Sequence, residues 1–69
     1  MKFIEVKIGK IFGNFGMKKI LLVEDEINVV NFIQKGLTEE DFEVSVALNG
    51  LMGLQMAMNN SYDLIVLDI

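Results

Sequence analysis

Three consecutive acids, Glu24, Asp25 and Glu26, follow the apolar run Ile20-Leu21-Leu22-Val23, and a fourth acid, Asp68, ends a second run, Leu64-Ile65-Val66-Leu67. If the two runs are neighbouring parallel strands, these carboxylates meet at one sheet edge. Carboxylates brought together repel one another unless a cation or a proton lies between them. Magnesium suits such a place, because it takes hard oxygen ligands, accepts one or two carboxylates and keeps its waters. The same pocket suits chemistry on a phosphoryl group. An ionised carboxylate is a nucleophile, and a bound cation offsets the charge of the phosphoryl oxygens. Taken singly, each acid has a plainer explanation. Acids at a helix start gain about 0.3–1 kcal/mol each from the dipole, and strands often end on a polar residue. Only the conjunction carries the chemical reading.

The pattern around the acids alternates between strand and helix from Met17 onward. Lys19 to Val23 is the first strand, with a continuous apolar run, Ile20-Leu21-Leu22-Val23, as in a parallel strand buried on both faces. Ile27, Val30, Ile33 and Leu37 recur at spacings of three and four, which predicts a helix from about Glu26 to Glu40. Val44 and Val46 alternate with Glu43 and Ser45, which predicts an edge strand over Phe42 to Leu48. Asn49 is a candidate N-cap for a second helix, Gly50 to Asn60, with an inner face of Gly53, Leu54, Ala57 and Met58. Leu51 and Met52 fall on its outer side. A third strand follows at Leu64 to Leu67. The order β-α-β-α-β places the first strand in the middle with one helix on each face. The carboxyl edge of that strand is then a topological switch point, where open α/β sheets bind ligands. Asp25 and Asp68 belong to that edge.

Size and composition bound the remaining choices. A chain of 69 residues makes one small domain, which buries only about 60% of its unfolded surface. It has no Cys and no His, so disulfides, zinc fingers, Ser-His triads and histidine bases are excluded. A net charge of -4 without a Lys/Arg cluster argues against binding a nucleic-acid backbone. No stretch reaches the roughly 18 apolar residues of a membrane span, and Glu5, Lys7, Lys10 and Asn14 interrupt any secretory core at the N-terminus. The Cys-free composition fits a cytoplasmic protein.

Residues 1–16 differ from the rest. Ile4, Val6 and Ile8 alternate with Glu5 and Lys7, and Gly9, Gly13, Asn14 and Gly16 punctuate a loop. Two readings stand side by side: an upstream extension with no role in the fold, or an extra strand that covers a sheet edge. Phe3, Phe12 and Phe15 are candidates for anchoring this segment to an exposed face.

Lys18-Lys19-Ile20-Leu21-Leu22-Val23-Glu24-Asp25-Glu26, followed by Tyr62-Asp63-Leu64-Ile65-Val66-Leu67-Asp68-Ile69, resembles the receiver domain of bacterial two-component response regulators. Asn49-Gly50, Leu54 and Ala57 fit the same pattern. The resemblance covers residues 17–69 and concerns the N-terminal part of a receiver. It implies the βαβαβ part of a flavodoxin-like doubly wound parallel sheet, strand order 2-1-3, truncated after its third strand. It implies that Asp68 accepts a phosphoryl group from a sensor histidine kinase. Asp25 would bind Mg²⁺ directly and Glu24 mainly through water, with Asp68 completing the set, while Glu26 belongs to the helix start. Such a chain is a phosphoacceptor in a relay rather than an enzyme.

Receivers also use a main-chain carbonyl beyond the phosphoacceptor, a hydroxyl residue after a fourth strand and a Lys after a fifth. None of these can be assigned within residues 1–69, so the isolated chain is expected to be inactive. Its third strand is expected to present an open apolar edge and to self-associate there. The alternative is a fragment without phosphotransfer, or an interaction module that binds a kinase or another receiver through its first helix.

Overall fold

The computed structural model describes residues 2–4, as backbone, and residues 18–67. The elements are β1 (Lys2–Ile4), β2 (Lys19–Val23), α1 (Ile27–Glu39), β3 (Glu43–Ala47), α2 (Gly50–Asn59) and β4 (Leu64–Leu67). They form one sheet in the order β1-β4-β2-β3. β2 is central and runs parallel to β3 on one side and to β4 on the other. These three strands and two helices are the N-terminal part of a flavodoxin-like sheet with the expected 2-1-3 order.

The period of two along each strand divides the core into two layers. Ile20, Leu22, Val30 and Val66 form one buried cluster, extended by Ile33, Leu37, Phe42, Val44, Val46 and Leu64. Leu21, Val23, Ala47 and Tyr62 form the other, extended by Met56, Ala57, Ile65 and Leu67. α1 therefore covers one face and α2 the opposite face. Each fully buried aliphatic side chain contributes about 1.5–3 kcal/mol. At the amino edge the Lys19 N–H donates to Asp63 Oδ2 at 2.8 Å, and the Asp63 N–H donates to the Lys19 carbonyl at 2.7 Å. This pair of bonds fixes the β2–β4 register before the apolar residues begin.

The helix ends follow from local chemistry. Glu26 caps α1, its side chain accepting the Asn28 N–H, and Asn49 caps α2, its Oδ1 accepting the Met52 N–H at 2.9 Å. α1 ends with the Phe42 N–H on the Leu37 carbonyl and the Asp41 N–H on the Thr38 carbonyl, the paired bonds of a Schellman motif. Asp41 stands at its left-handed position, φ 66°, where Gly is the usual residue.

Three expectations need correction. Leu54 and Met58, assigned to the inner face of α2, are 57% and 76% exposed; Met56 packs inward with Ala57 instead. The buried stripe is Gly53, Met56 and Ala57, the i, i+3, i+4 set one residue away. Ile27 begins the apolar stripe of α1 but is exposed, because the first turn lies past the end of β2. The outer edge of β4, expected to be open, is paired. β1 runs antiparallel to it, with Lys2 opposite Leu67, Phe3 opposite Val66 and Ile4 opposite Ile65. Val6, Ile8, the glycine-marked loop and the Phe12 and Phe15 anchors lie outside the described residues. An open groove of about 550 Å³ remains between α1 and β4; its lining includes Phe32, Ile33, Leu37, Leu64 and Val66, with Lys35 and Glu39 also on it.

Gly53 sets the distance between α2 and the sheet. A Cβ there would stand 2.7 Å from Val23 Cγ2 and 3.2 Å from Val23 Cγ1. Valine is stiff at χ1, so its methyl groups cannot simply turn away. Gly53→Ala is therefore expected to lower stability by about 1–3 kcal/mol through overpacking, although alanine is by about 1 kcal/mol the better helix former. Urea unfolding followed by circular dichroism measures the difference; an unchanged or higher midpoint would contradict it.

Candidate functional site

The carboxyl edge of β2 is where the acids gather. The last pair of the β2–β4 ladder is Val23 with Leu67. In sequence, each is followed at once by an acid, Glu24 in one strand and Asp68 in the other. Asp68 itself lies outside the described residues.

Glu24 is 2% exposed, unusual for a glutamate. Its backbone is held by the neighbouring strand, since the Glu24 N–H donates to the Ala47 carbonyl at 3.0 Å. Its Oε1 accepts the Glu26 N–H at 3.0 Å. The side chain is thus folded back under the turn that joins β2 to α1. Asp25, the next residue, is exposed. Glu26 is also exposed and is committed to the start of α1, where its side chain accepts the Asn28 N–H at 3.3 Å. The three neighbouring acids are therefore chemically distinct: a buried one, an exposed one free of capping work, and a cap.

Among the described residues, no group of three or more acids is arranged to hold a metal ion. The acids that the sequence points to are Glu24 and Asp25, with Asp68 as the third. Their donor chemistry fits Mg²⁺. All are carboxylates, with no soft or nitrogen ligand, and magnesium is bound through one or two carboxylates while it keeps several waters. The buried Glu24 suits an indirect role better than the exposed Asp25, which is open to a hydrated ion.

Two residues near the motifs have structural duties that their pattern did not reveal. Tyr62 is 6% exposed and packs with Leu21, Val23 and Ala47. Asp63 ties the amino edge of the sheet to Lys19. The apolar groove beside α1, with Leu64 in its lining, is separate from the acidic edge.

Comparison with known proteins agrees with this geometry. The chain is 47% identical over 53 residues to the response regulator ArlR of Staphylococcus saprophyticus, covering 77% of this chain and 24% of that protein. It is 53% identical over 51 residues to the transcriptional regulatory protein CusR of Escherichia coli K12 and to the probable transcriptional regulatory protein SilR of Salmonella typhimurium, covering 74% of this chain and 22% of each. The chain thus spans about a quarter of the length of the curated relatives it matches. No protein-family model matches it, and no solved structure does. In sequence, the chain is similar to part of these response regulators, consistent with a receiver domain fragment.

Proposed function

We propose that residues 17–69 supply the acidic half of a phosphoacceptor site in a two-component relay. The observation that carries this reading is the Val23–Leu67 pair, which ends two adjacent parallel strands just before Glu24-Asp25 and Asp68. The similarity to response regulators supports it.

In this reading Asp68 is the phosphoacceptor. One carboxylate oxygen attacks the phosphorus of a phosphohistidine on a sensor kinase. The P–N bond breaks, its electron pair stays on the imidazole, and an acyl phosphate forms on Asp68. Positioning and electrostatics carry most of such a transfer. Asp25, with Glu24 behind it, would hold Mg²⁺, which when bound offsets the negative charge gathered by the carboxylates and the phosphoryl oxygens. Buried and hydrogen-bonded to the turn, Glu24 keeps the β2–α1 loop in the shape that presents Asp25.

In this reading the chain would meet its sensor kinase in the cytoplasm. Two relatives are named as transcriptional regulators. We propose a similar output for a full-length protein carrying this module, with no nucleic-acid contact from residues 1–69.

The test is a graft. Residues 17–69 replace the matching residues of a full-length response regulator, which is then incubated with acetyl phosphate and Mg²⁺ and weighed intact. The expected result is the mass gain of one phosphoryl group, lost in Asp68→Ala. A folded graft that gains no mass, or labelling that survives Asp68→Ala, would overturn the reading. The metal role has its own check. Mg²⁺ titration should shift the amide signals of residues 24–26 weakly in the wild-type chain and not in Asp25→Asn. Equal shifts in both would show that the ion is held elsewhere.

A further inference from the structure

Gly53 also closes a short ring of contacts around Glu24. A Cβ on Gly53 would stand 2.7 Å from Val23 Cγ2, and Val23 is the last residue of β2. Glu24 follows Val23 in the chain, and its N–H donates to the Ala47 carbonyl at 3.0 Å. Ala47 ends β3, and only Leu48 separates it from Asn49, the cap of α2. The Asn49 carbonyl accepts the Gly53 N–H at 3.0 Å, which returns the ring to its start. Every link is a covalent step, a main-chain hydrogen bond or a packed contact.

The ring has no slack to absorb an added methyl group. Val23 sits between Ala47 and Leu67 in the sheet register, so it cannot move sideways. Ala47 and Val23 are both buried, and a close-packed interior transmits strain. If α2 holds its place, the methyl group pushes Val23 and with it Glu24. If α2 lifts instead, the short Leu48 connection pulls on the Ala47 carbonyl that holds the Glu24 N–H. Both routes end at Glu24, whose Oε1 accepts the Glu26 N–H and so shapes the turn that presents Asp25.

We propose that Gly53 is a positioning residue for the acidic edge: through Val23 and the Ala47 carbonyl it fixes the main chain of Glu24, and thereby the place of Asp25. That Asp25 is placed for Mg²⁺ rests on the phosphoacceptor reading above; the ring itself does not.

The experiment measures amide exchange in the full chain without metal, reading the Glu24 and Glu26 N–H groups against that of Leu22. Leu22 lies within the ladders on both sides of β2 and reports the stability of the sheet as a whole. In Gly53→Ala, Glu24 and Glu26 are expected to lose about tenfold more protection than Leu22, since local opening need not involve the whole sheet. Met56→Ala is the control, on the same inner face of α2 one turn further along. It should lower the protection of all three amides alike. Adding Val23→Ala to Gly53→Ala removes the methyl groups that the new Cβ meets, and should return the ratio most of the way to wild type. If Gly53→Ala leaves no folded population, Val23→Ala alone reads the ring. It takes away the surface on which Gly53 rests, and should loosen Glu24 and Glu26 relative to Leu22.

A uniform loss of protection in Gly53→Ala, matching Met56→Ala, would overturn the proposal. So would a loss at Glu24 and Glu26 that Val23→Ala fails to relieve. A Mg²⁺ titration of the same proteins tests the link to Asp25. Affinity should fall about tenfold in Gly53→Ala, as when a partner supporting a metal ligand is lost, and stay unchanged in Met56→Ala. Equal affinity in wild type and Gly53→Ala would overturn that link. A wild-type chain that takes no Mg²⁺ would defeat the metal role of Asp25, while the exchange ratios still decide the role of Gly53.

Discussion

Incubated with acetyl phosphate and Mg²⁺, the chain of residues 1–69 is expected to be labelled at least about a hundredfold more slowly than the grafted receiver described above. Both contain the nucleophile proposed here, Asp68, and both contain Glu24 and Asp25. They differ in the groups that would meet the phosphoryl oxygens. Donors aimed at developing charge are usually the largest catalytic contribution, and losing one commonly costs a factor of about 10² to 10³. By resemblance a receiver uses two such groups, a hydroxyl and a Lys, and the resemblance assigns neither to a residue of 1–69. Intact mass against time reads both rates, and Asp68→Ala in the graft sets the background. Comparable rates in the two proteins would mean that the acidic edge and the cation alone carry the transfer.

The five elements from β2 to β4 were legible because each has a local signature. The uninterrupted Ile20–Val23 run, the Asn49 cap and the 27/30/33/37 stripe place their elements to within about a residue. The second helix shows where local reading fails. Its sequence, Gly-Leu-Met-Gly-Leu-Gln-Met-Ala-Met-Asn, is apolar nearly all round, so periodicity does not select a face. The selection is made by Gly53, whose missing side chain lets α2 approach Val23, and that contact joins residues far apart in sequence. Leu54 and Met58 were accordingly assigned to the wrong side.

The N-terminal strand was half legible. The alternation at Ile4, Val6 and Ile8 signals an extended segment, but β1 is Lys2–Ile4. What a three-residue strand pairs with, here β4, is a property of the assembled sheet rather than of its own residues. The acidic edge divides in the same way. Its residue types and their adjacency follow from the strand pattern. The burial of Glu24 does not, because it depends on the Ala47 carbonyl and the Glu26 amide reaching one residue from two directions. The capping role of Glu26 was readable from its position at the helix start, and separates it from its neighbours.

Leu22→Ala is expected to leave a large share of the chain unfolded at room temperature, whereas Phe32→Ala is expected to change little. Leu22 has no exposed surface and lies on the central strand, in one cluster with Ile20, Val30 and Val66. Truncating a buried leucine costs about 2–5 kcal/mol, the higher figures where the neighbours cannot collapse into the space. A central strand flanked on both sides by paired strands is such a place. The total stability of a chain this size is roughly 3–10 kcal/mol, so one substitution removes about a fifth of it at the least and can remove all of it. Phe32 is the larger side chain but is 81% exposed, and a surface change of this kind is usually worth within about 0.5 kcal/mol. Urea melts of the three proteins, followed at 222 nm, decide the matter. The ordering expected is a much lower midpoint for Leu22→Ala and nearly coincident midpoints for Phe32→Ala and wild type. A Phe32→Ala midpoint as low as that of Leu22→Ala would mean that residue 32 is covered in solution, and that the groove between α1 and β4 belongs to the core.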